Sequence, residues 1–325
     1  MKPEHQQRLL SVAQEISFAK ALSSNDKSLR DRALRRLKKW FLAKSDNSNN
    51  FTEDGFMRIW KGLFYSVWMS DKPLIQEDLV EDVSQLIHCF SNFSDASMFA
   101  RCFFQAMSQA WFGIDSFRLD KFMMLLRRFL RQCFDYLSRQ GWKKRQVTTF
   151  SDDLSNSLRM APTGMNLHIA ELYLEELAKI GKGKLKEETV LLCVKPFGRL
   201  LSETTDTRLI SNITDNIFCY LLRQSDLGIK YQIKFEAWKQ LGFPGGHIDA
   251  LEEVEQAEDE NSVSEDGMDD TETNSELDPR AGRVDVLLPT LAFNAKAIVQ
   301  MLKQLRTDKE TTTKARKAIA SIIDR

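Results

Sequence analysis

The sequence predicts an all-α fold, an irregular α-solenoid of helical hairpins with a disordered acidic insert. Three observations predict it. Apolar residues recur at spacings of three and four through most of residues 4–223, which is the helical period. Helix pairs begin near Thr52, Ser94, Val147 and Glu187, a period of roughly forty to fifty residues, in the range of HEAT or armadillo-like arrays. From Gly242 to Gly282 the chain turns acidic and almost free of large apolar side chains, so it buries too little surface to offset the entropy of ordering. The division that follows is a helical-repeat domain at 1–242, a disordered acidic linker at 243–282 and a C-terminal segment at 283–325 whose two helices dock on the body. No strict repeat motif is visible, and a compact helical bundle is the competing architecture.

The first helix is read over residues 4–22, with Leu9, Leu10, Val12, Ala13 and Ile16 on or near one side. Asn25 or Asp26 is the next cap. Plotted at about 100° per residue, the following helix gathers Leu29, Ala33, Leu34, Leu37, Trp40 and Phe41 in one arc and Arg32, Arg35, Arg36, Lys38 and Lys39 in the other. The apolar arc faces the body, so the basic arc faces solvent or a partner. A polar loop at 46–50 leads into a hairpin whose first helix carries Phe56, Ile59, Trp60, Leu63, Phe64, Val67 and Trp68. That stripe is too wide and too aromatic for a helix with one wet side, and Trp40, Phe56, Trp60, Phe64 and Trp68 are assigned to the core. Thr52 caps this helix with Glu53 and Asp54 behind it, and Pro73 opens the next, read over 74–90.

Ser94-Asp95 caps a helix running to Trp111, and Asp115 starts a long one to Arg139 that shows Arg127, Arg128 and Arg131. Lys143, Lys144 and Arg145 follow the Gly141 break, so a second basic patch is expected there. Helices are read over 147–160, 165–180, 187–203 with Pro196 as a kink or break, and 206–223. Residues 231–238 fit a short helix or a strand equally. Residues 284–291 read as extended, a docking strand, before closing helices at 294–305 and 311–323.

Net charge is formally zero, but 13 of the 46 acidic residues lie between Glu252 and Asp278, where there is no Lys or Arg. Outside that tract 33 acidic residues face 46 basic ones, so a positively charged body carries an acidic insert and has different partners from a neutral protein. Cys89, Cys102, Cys133, Cys193 and Cys219 form no C-x-x-C pair and sit in helical patterns. With no signal-peptide pattern, they read as reduced, buried thiols of an intracellular protein. No apolar run reaches the roughly 18 residues of a membrane span.

Enzyme motifs are absent. His5, His88, His168 and His247 show no zinc-ligand spacing. Gly181-Lys182-Gly183-Lys184 lacks P-loop spacing and follows a helix, which makes it a C-terminal stop. Glu171, Glu175 and Glu176 read as the solvated acids of an exposed face. No catalytic, cofactor or metal residue is assigned. Phosphate binding needs several cations on one face, because each neutralised phosphate releases counterions. The candidates are Arg32, Arg35, Arg36, Lys38 and Lys39, then Arg127, Arg128, Arg131, Lys143, Lys144 and Arg145. Ser262, with Glu265 three residues on, and Thr273, with Glu276, suit acid-directed phosphorylation.

The stretches SNDKSLRDRALRRLKKW from Ser24, FTEDGFMRIWKGLFYSVWMSDKP from Phe51 and GMNLHIAELYLEEL from Gly164, with the Pro196-Phe197 helix and its TDTRLI continuation, resemble the eukaryotic nucleolar family of ribosomal RNA-processing protein 1. The resemblance implies a nucleolar, nuclear protein acting in maturation of the large (60S) ribosomal subunit. It implies partners among pre-60S assembly factors and ribosomal proteins beside pre-rRNA, no catalytic site and no cofactor. A non-catalytic scaffold touching rRNA backbone is the leading expectation; a helical adaptor that binds only proteins is the alternative.

Overall fold

The computed structural model describes residues 3–46, 51–248 and 288–324. The loop at 47–50, the acidic insert from 249 onward with Ser262 and Thr273, and the first part of the 284–291 segment lie outside the described residues. Two compact units divide the chain, Met1–Cys219 with Leu288–Arg325, and Tyr220–Leu287.

All regular structure among the described residues is helical. Ten helices follow one another as hairpins: α1 (Pro3–Leu22), α2 (Lys27–Asp46), α3 (Glu53–Trp68), α4 (Pro73–Ser84), α5 (Phe93–Ala110), α6 (Ser116–Arg139), α7 (Lys144–Met160), α8 (Thr163–Gly181), α9 (Glu187–Glu203) and α10 (Thr207–Ile213). A π-helical turn, Thr214–Phe218, joins α10 to α11 (Cys219–Arg223). The smaller unit holds α12 (Asp226–Gln240); α13 (Ala295–Thr307) and α14 (Thr313–Ile323) belong again to the larger one. In the larger unit α1, α3, α5, α7 and α9 each pack on the next in one layer, and α4, α6, α8 and α10 do so in the other. Each hairpin thus buries itself against its neighbours, which is the predicted α-solenoid.

Local chemistry places the helix ends. Thr52 Oγ1 accepts the Gly55 N–H at 3.1 Å, Asp115 caps α6, and Pro73 stands at the start of α4. α5 is capped by Asn92, whose side chain accepts from the Asp95 N–H at 2.8 Å, not by Ser94 or Asp95. α4 ends at Ser84 and tightens into a 3₁₀ turn, Gln85–Cys89. Lys182 takes the left-handed conformation that closes α8, as the glycine-flanked stop requires. Residues 288–294 form no strand; Leu291 alone among them is buried.

Pro196 neither breaks nor ends α9. Proline withdraws the N–H that the carbonyl four residues earlier would accept, here that of Leu192. The Ser151 hydroxyl of α7 donates to that same carbonyl at 2.7 Å. Ser151→Ala is expected to leave the buried carbonyl without a donor and to cost about 1–3 kcal/mol, read as a lower urea midpoint at unchanged m-value.

The core is aromatic where α2, α3, α5 and α6 meet. Trp60 stacks on Phe99 with centroids 4.6 Å apart, meets Phe129 edge-on at 5.2 Å, and donates its indole N–H to the Phe99 carbonyl at 3.0 Å. Phe41, Phe51, Phe56 and Phe90 close the cluster on the α2 side. Phe56 and Trp60 are core residues as predicted, whereas Trp40, Phe64 and Trp68 are half-buried. Trp68 sits at the end of α3, with the Arg118 guanidinium over its ring at 4.7 Å, and Trp40 borders a groove between α1 and α2.

α1 packs on a different face from the one its leucines suggest. Leu9, Leu10 and Ile16 are exposed, and the buried residues among its described side chains are Glu15 and, at the helix end, Leu22. Arg58 meets the Glu15 carboxylate at 2.7 Å, Ser11 donates to it at 3.1 Å and Lys44 stands 3.8 Å away. That set of donors compensates the buried charge. Close packing of α1 on α3 also needs Gly62, where a Cβ would lie 2.8 Å from the Ala19 Cα.

The C-terminal hairpin occupies the next place in the stack after α9. α13 packs on α9, and α14 packs on α9 and α10. Leu302 and Ile319 are fully buried there. Thr312 donates through its N–H to the Ser202 carbonyl at 3.1 Å and through its hydroxyl to the Thr204 carbonyl at 3.0 Å, groups that the end of α9 would otherwise leave unpaired.

Candidate nucleic-acid interface

The first basic set stands on α2, which is held by its buried apolar arc and by Arg30. Ala33, Leu34, Leu37 and Phe41 are buried beneath it. Arg30, itself buried, donates to the Ser24 and Asn25 carbonyls at 2.8 and 3.0 Å and to the Met69 carbonyl at 3.4 Å, tying the α1–α2 turn to the end of α3. Leu29, expected in the apolar arc, is exposed at the helix start.

With that face spent on the body, Arg32, Arg35, Arg36, Lys38 and Lys39 are all exposed. None of the five forms an ion pair among the described residues. Arg32 donates only to the Ser28 carbonyl of its own helix, at 3.2 Å. Lys38 lies near Asp82 of α4: burial raises the Asp82 carboxyl, and Lys38 is the cation that opposes the shift. Arg36 and Lys39 edge a cavity of about 370 Å³ between α1 and α2, whose apolar walls include Phe18, Ala21, Ala33 and Trp40. The Trp40 indole N–H is taken by Gln14 Oε1 at 2.8 Å. Neither Gln14 nor Phe18 is legible as a site residue in sequence, since only the α1–α2 approach brings them beside the cations.

The second basic set divides. Arg127, Arg128 and Arg131 are not available to phosphate. Arg131 is 3% exposed and grips both oxygens of Glu176, which is 0% exposed. Arg127 bonds Glu176 Oε1 at 2.6 Å and pairs with Glu175, which Lys179 also meets at 2.9 Å. Arg128 donates to the Glu77 carbonyl at 2.8 Å, with the Glu77 and Glu81 carboxylates at 3.6 and 3.7 Å. Glu175 and Glu176 are therefore buried partners joining α8 to α6, not solvated acids; Glu171 alone of the three is exposed, where it accepts from Asn212 at 3.0 Å. Lys143, Lys144 and Arg145 remain exposed, with Lys144 paired to Glu188.

The C-terminal hairpin adds cations that belong to neither predicted set. Lys303 and Arg306 of α13 and Lys317 of α14 are exposed and form no ion pair among the described residues. Their signal in sequence is the polar side of two short amphipathic helices.

Elsewhere the chemistry is quiet. All five cysteines are buried and unbridged. Burial pushes the Cys89 thiol up to about 11 and those of Cys102 and Cys193 up to about 12, and raises Cys133 as well, so these thiols stay protonated at neutral pH. His88 engages Gln132 at 2.8 Å and His168 the Met123 carbonyl at 3.0 Å; burial lowers the pKa of both rings. No cluster of potential metal ligands occurs among the described residues, and no described helix is long and apolar enough to cross a membrane.

Residues 13–321 match the family described as "Nucleolar protein, Nop52". The chain is 37% identical over 327 residues to the ribosomal RNA processing protein 1 homolog of Drosophila melanogaster, covering 99% of this chain and 48% of that protein. It is 33% identical to homolog A of Homo sapiens, covering 95% of this chain and 69% of the relative, and 30% identical to human homolog B, covering 95% and 42%. The chain therefore spans about half the length of the Drosophila relative.

Proposed function

We infer function from family: the chain belongs to the Nop52 family of nucleolar proteins, and we propose that it is a non-catalytic helical scaffold in ribosomal RNA processing. Relatives named for ribosomal RNA processing support that role. In this reading it works within nucleolar precursors of the large subunit, holding assembly proteins along its layers and rRNA backbone on α2. The observation that carries the RNA contact is the α2 face itself, five exposed cations free of ion pairs among the described residues on a helix anchored by Arg30 and a buried apolar arc. Phosphate contacts of this kind are sequence-independent and salt-dependent.

Reversing the five together (Arg32→Glu, Arg35→Glu, Arg36→Glu, Lys38→Glu, Lys39→Glu) is expected to weaken binding to single-stranded RNA. It should also flatten the salt dependence, whose slope in log K against log salt is about 0.7 per phosphate contact. The melting temperature should fall only slightly, through the loss of Lys38 opposite Asp82, since all five side chains are exposed. Unchanged RNA affinity and unchanged co-sedimentation with large-subunit precursors would remove the α2 face from the mechanism.

A protein-only adaptor is the second reading. It is favoured by the internal use of Arg127, Arg128 and Arg131, which shrinks the basic surface. Crosslinking to RNA in cells separates the two, because an adaptor of this kind yields no RNA crosslinks on α2.

A further inference from the structure

The segment 227–236 carries a pattern that its helix cannot use. Leu227, Ile229, Tyr231, Ile233 and Phe235 alternate with Gly228, Lys230, Gln232, Lys234 and Glu236. Strict alternation over ten residues is the signature of a strand with one buried face. An α-helix turns about 100° per residue, so residues two apart point in nearly opposite directions and the five apolar side chains scatter round α12. The structure shows the result. α12 has no buried residue, and Leu227, Ile229, Tyr231, Ile233 and Phe235 are each 40–71% exposed.

Only an extended backbone puts those five side chains on one face. Ile, Tyr and Phe also favour strands over helices. A helix of 15 residues that buries none of its side chains among the described residues is marginal in water, so the helical form is cheap to leave. The far end is anchored separately: the Trp238 indole N–H donates to the Pro244 carbonyl at 2.9 Å, and its ring meets Phe243 at 4.8 Å. That turn can keep its place while the residues before it change conformation.

We propose that residues 227–236 dock as an added β-strand on the open sheet edge of a partner protein, the five apolar side chains entering its core-facing side. Main-chain hydrogen bonds supply affinity and alternate side-chain pockets supply specificity in that mode of recognition. The opposite face presents Lys230 and Lys234 against Glu236 alone, so the fitting edge carries acidic or neutral residues at the facing positions. This inference is independent of the α2 face and of RNA contact.

The test is a photocrosslinking scan in cells. Benzoylphenylalanine is placed singly at positions 229 to 236 of the full chain. Gly228 is left alone, because a Cβ there would meet the Leu222 carbonyl oxygen at 2.2 Å. A docked strand gives crosslinks to one partner protein at 229, 231, 233 and 235, with loss of signal at 230, 232, 234 and 236. Crosslinks recurring every three or four positions would mean docking as a helix and overturn the proposal. Crosslinks chiefly to RNA or to a second copy of this chain, or none at any position, would overturn it equally.

Discussion

Glu176→Ala is expected to destabilise the protein by about 3–5 kcal/mol, the cost of removing one partner from a buried ion pair. Glu176 has no exposed surface, and its carboxylate holds Arg131 through both oxygens while accepting from Arg127 Nε at 2.6 Å. Without it Arg131, 3% exposed and already lacking a partner at Nη1, is a buried cation with nothing to neutralise it. Glu175 compensates only in part, since it lies on the Arg127 and Lys179 side. The loss should appear as a fall in melting temperature of about 6–20 °C. Glu176→Gln keeps the shape and one acceptor, and should fall between wild type and alanine. Adding Arg131→Met to Glu176→Ala should recover part of the loss, since an apolar side chain of similar volume needs no counter-charge. If Glu176→Ala melted within a degree of wild type, the α6–α8 cluster would not be a source of stability.

Trp60→Ala is the second large effect, about 3–5 kcal/mol, in the range for deleting a large aromatic from a packed core. Trp60 is 2% exposed and lies against Phe99, Phe103 and Phe129. Its removal opens a cavity between α3, α5 and α6 and strips the Phe99 carbonyl of its indole donor. Trp68→Ala should cost clearly less, because that ring is half-buried and partly covered by the long, half-exposed side chain of Arg118. Urea unfolding of the two variants gives the comparison; equal losses would contradict the packing described. RNA binding by Trp60→Ala should follow the folded fraction, since Trp60 contributes no group to the α2 face.

Much of the fold is legible in the amino-acid sequence. Thr52, Asp115 and Pro73 mark helix starts because capping and the proline exception are local chemistry. The α2 arc is legible too: an amphipathic helix with an apolar side must turn its cations outward. Legibility ends where a residue's environment comes from far along the chain. Leu9 and Leu10 look like core residues, yet α1 turns Glu15 inward because Arg58 and Lys44 arrive to meet it. Glu175 and Glu176 look solvated, yet α6 brings Arg127 and Arg131 to them across 45 to 49 residues of sequence. α12 is the reverse case, a strand pattern in a helix that nothing among the described residues covers.

By itself, then, the sequence determined what short-range periodicity and capping encode: an all-α chain of hairpins, the place of most of its helices though not of α12, and the outward α2 arc. The tertiary structure alone decided which cations stay exposed. Of two basic sets that look alike in sequence, Arg127, Arg128 and Arg131 are paired with carboxylates of other helices, two of them buried, whereas the α2 set forms no ion pair among the described residues. The physical reason is that a helix's own period says which side a charge points to. Whether that charge is desolvated and paired depends on the helix packed against it.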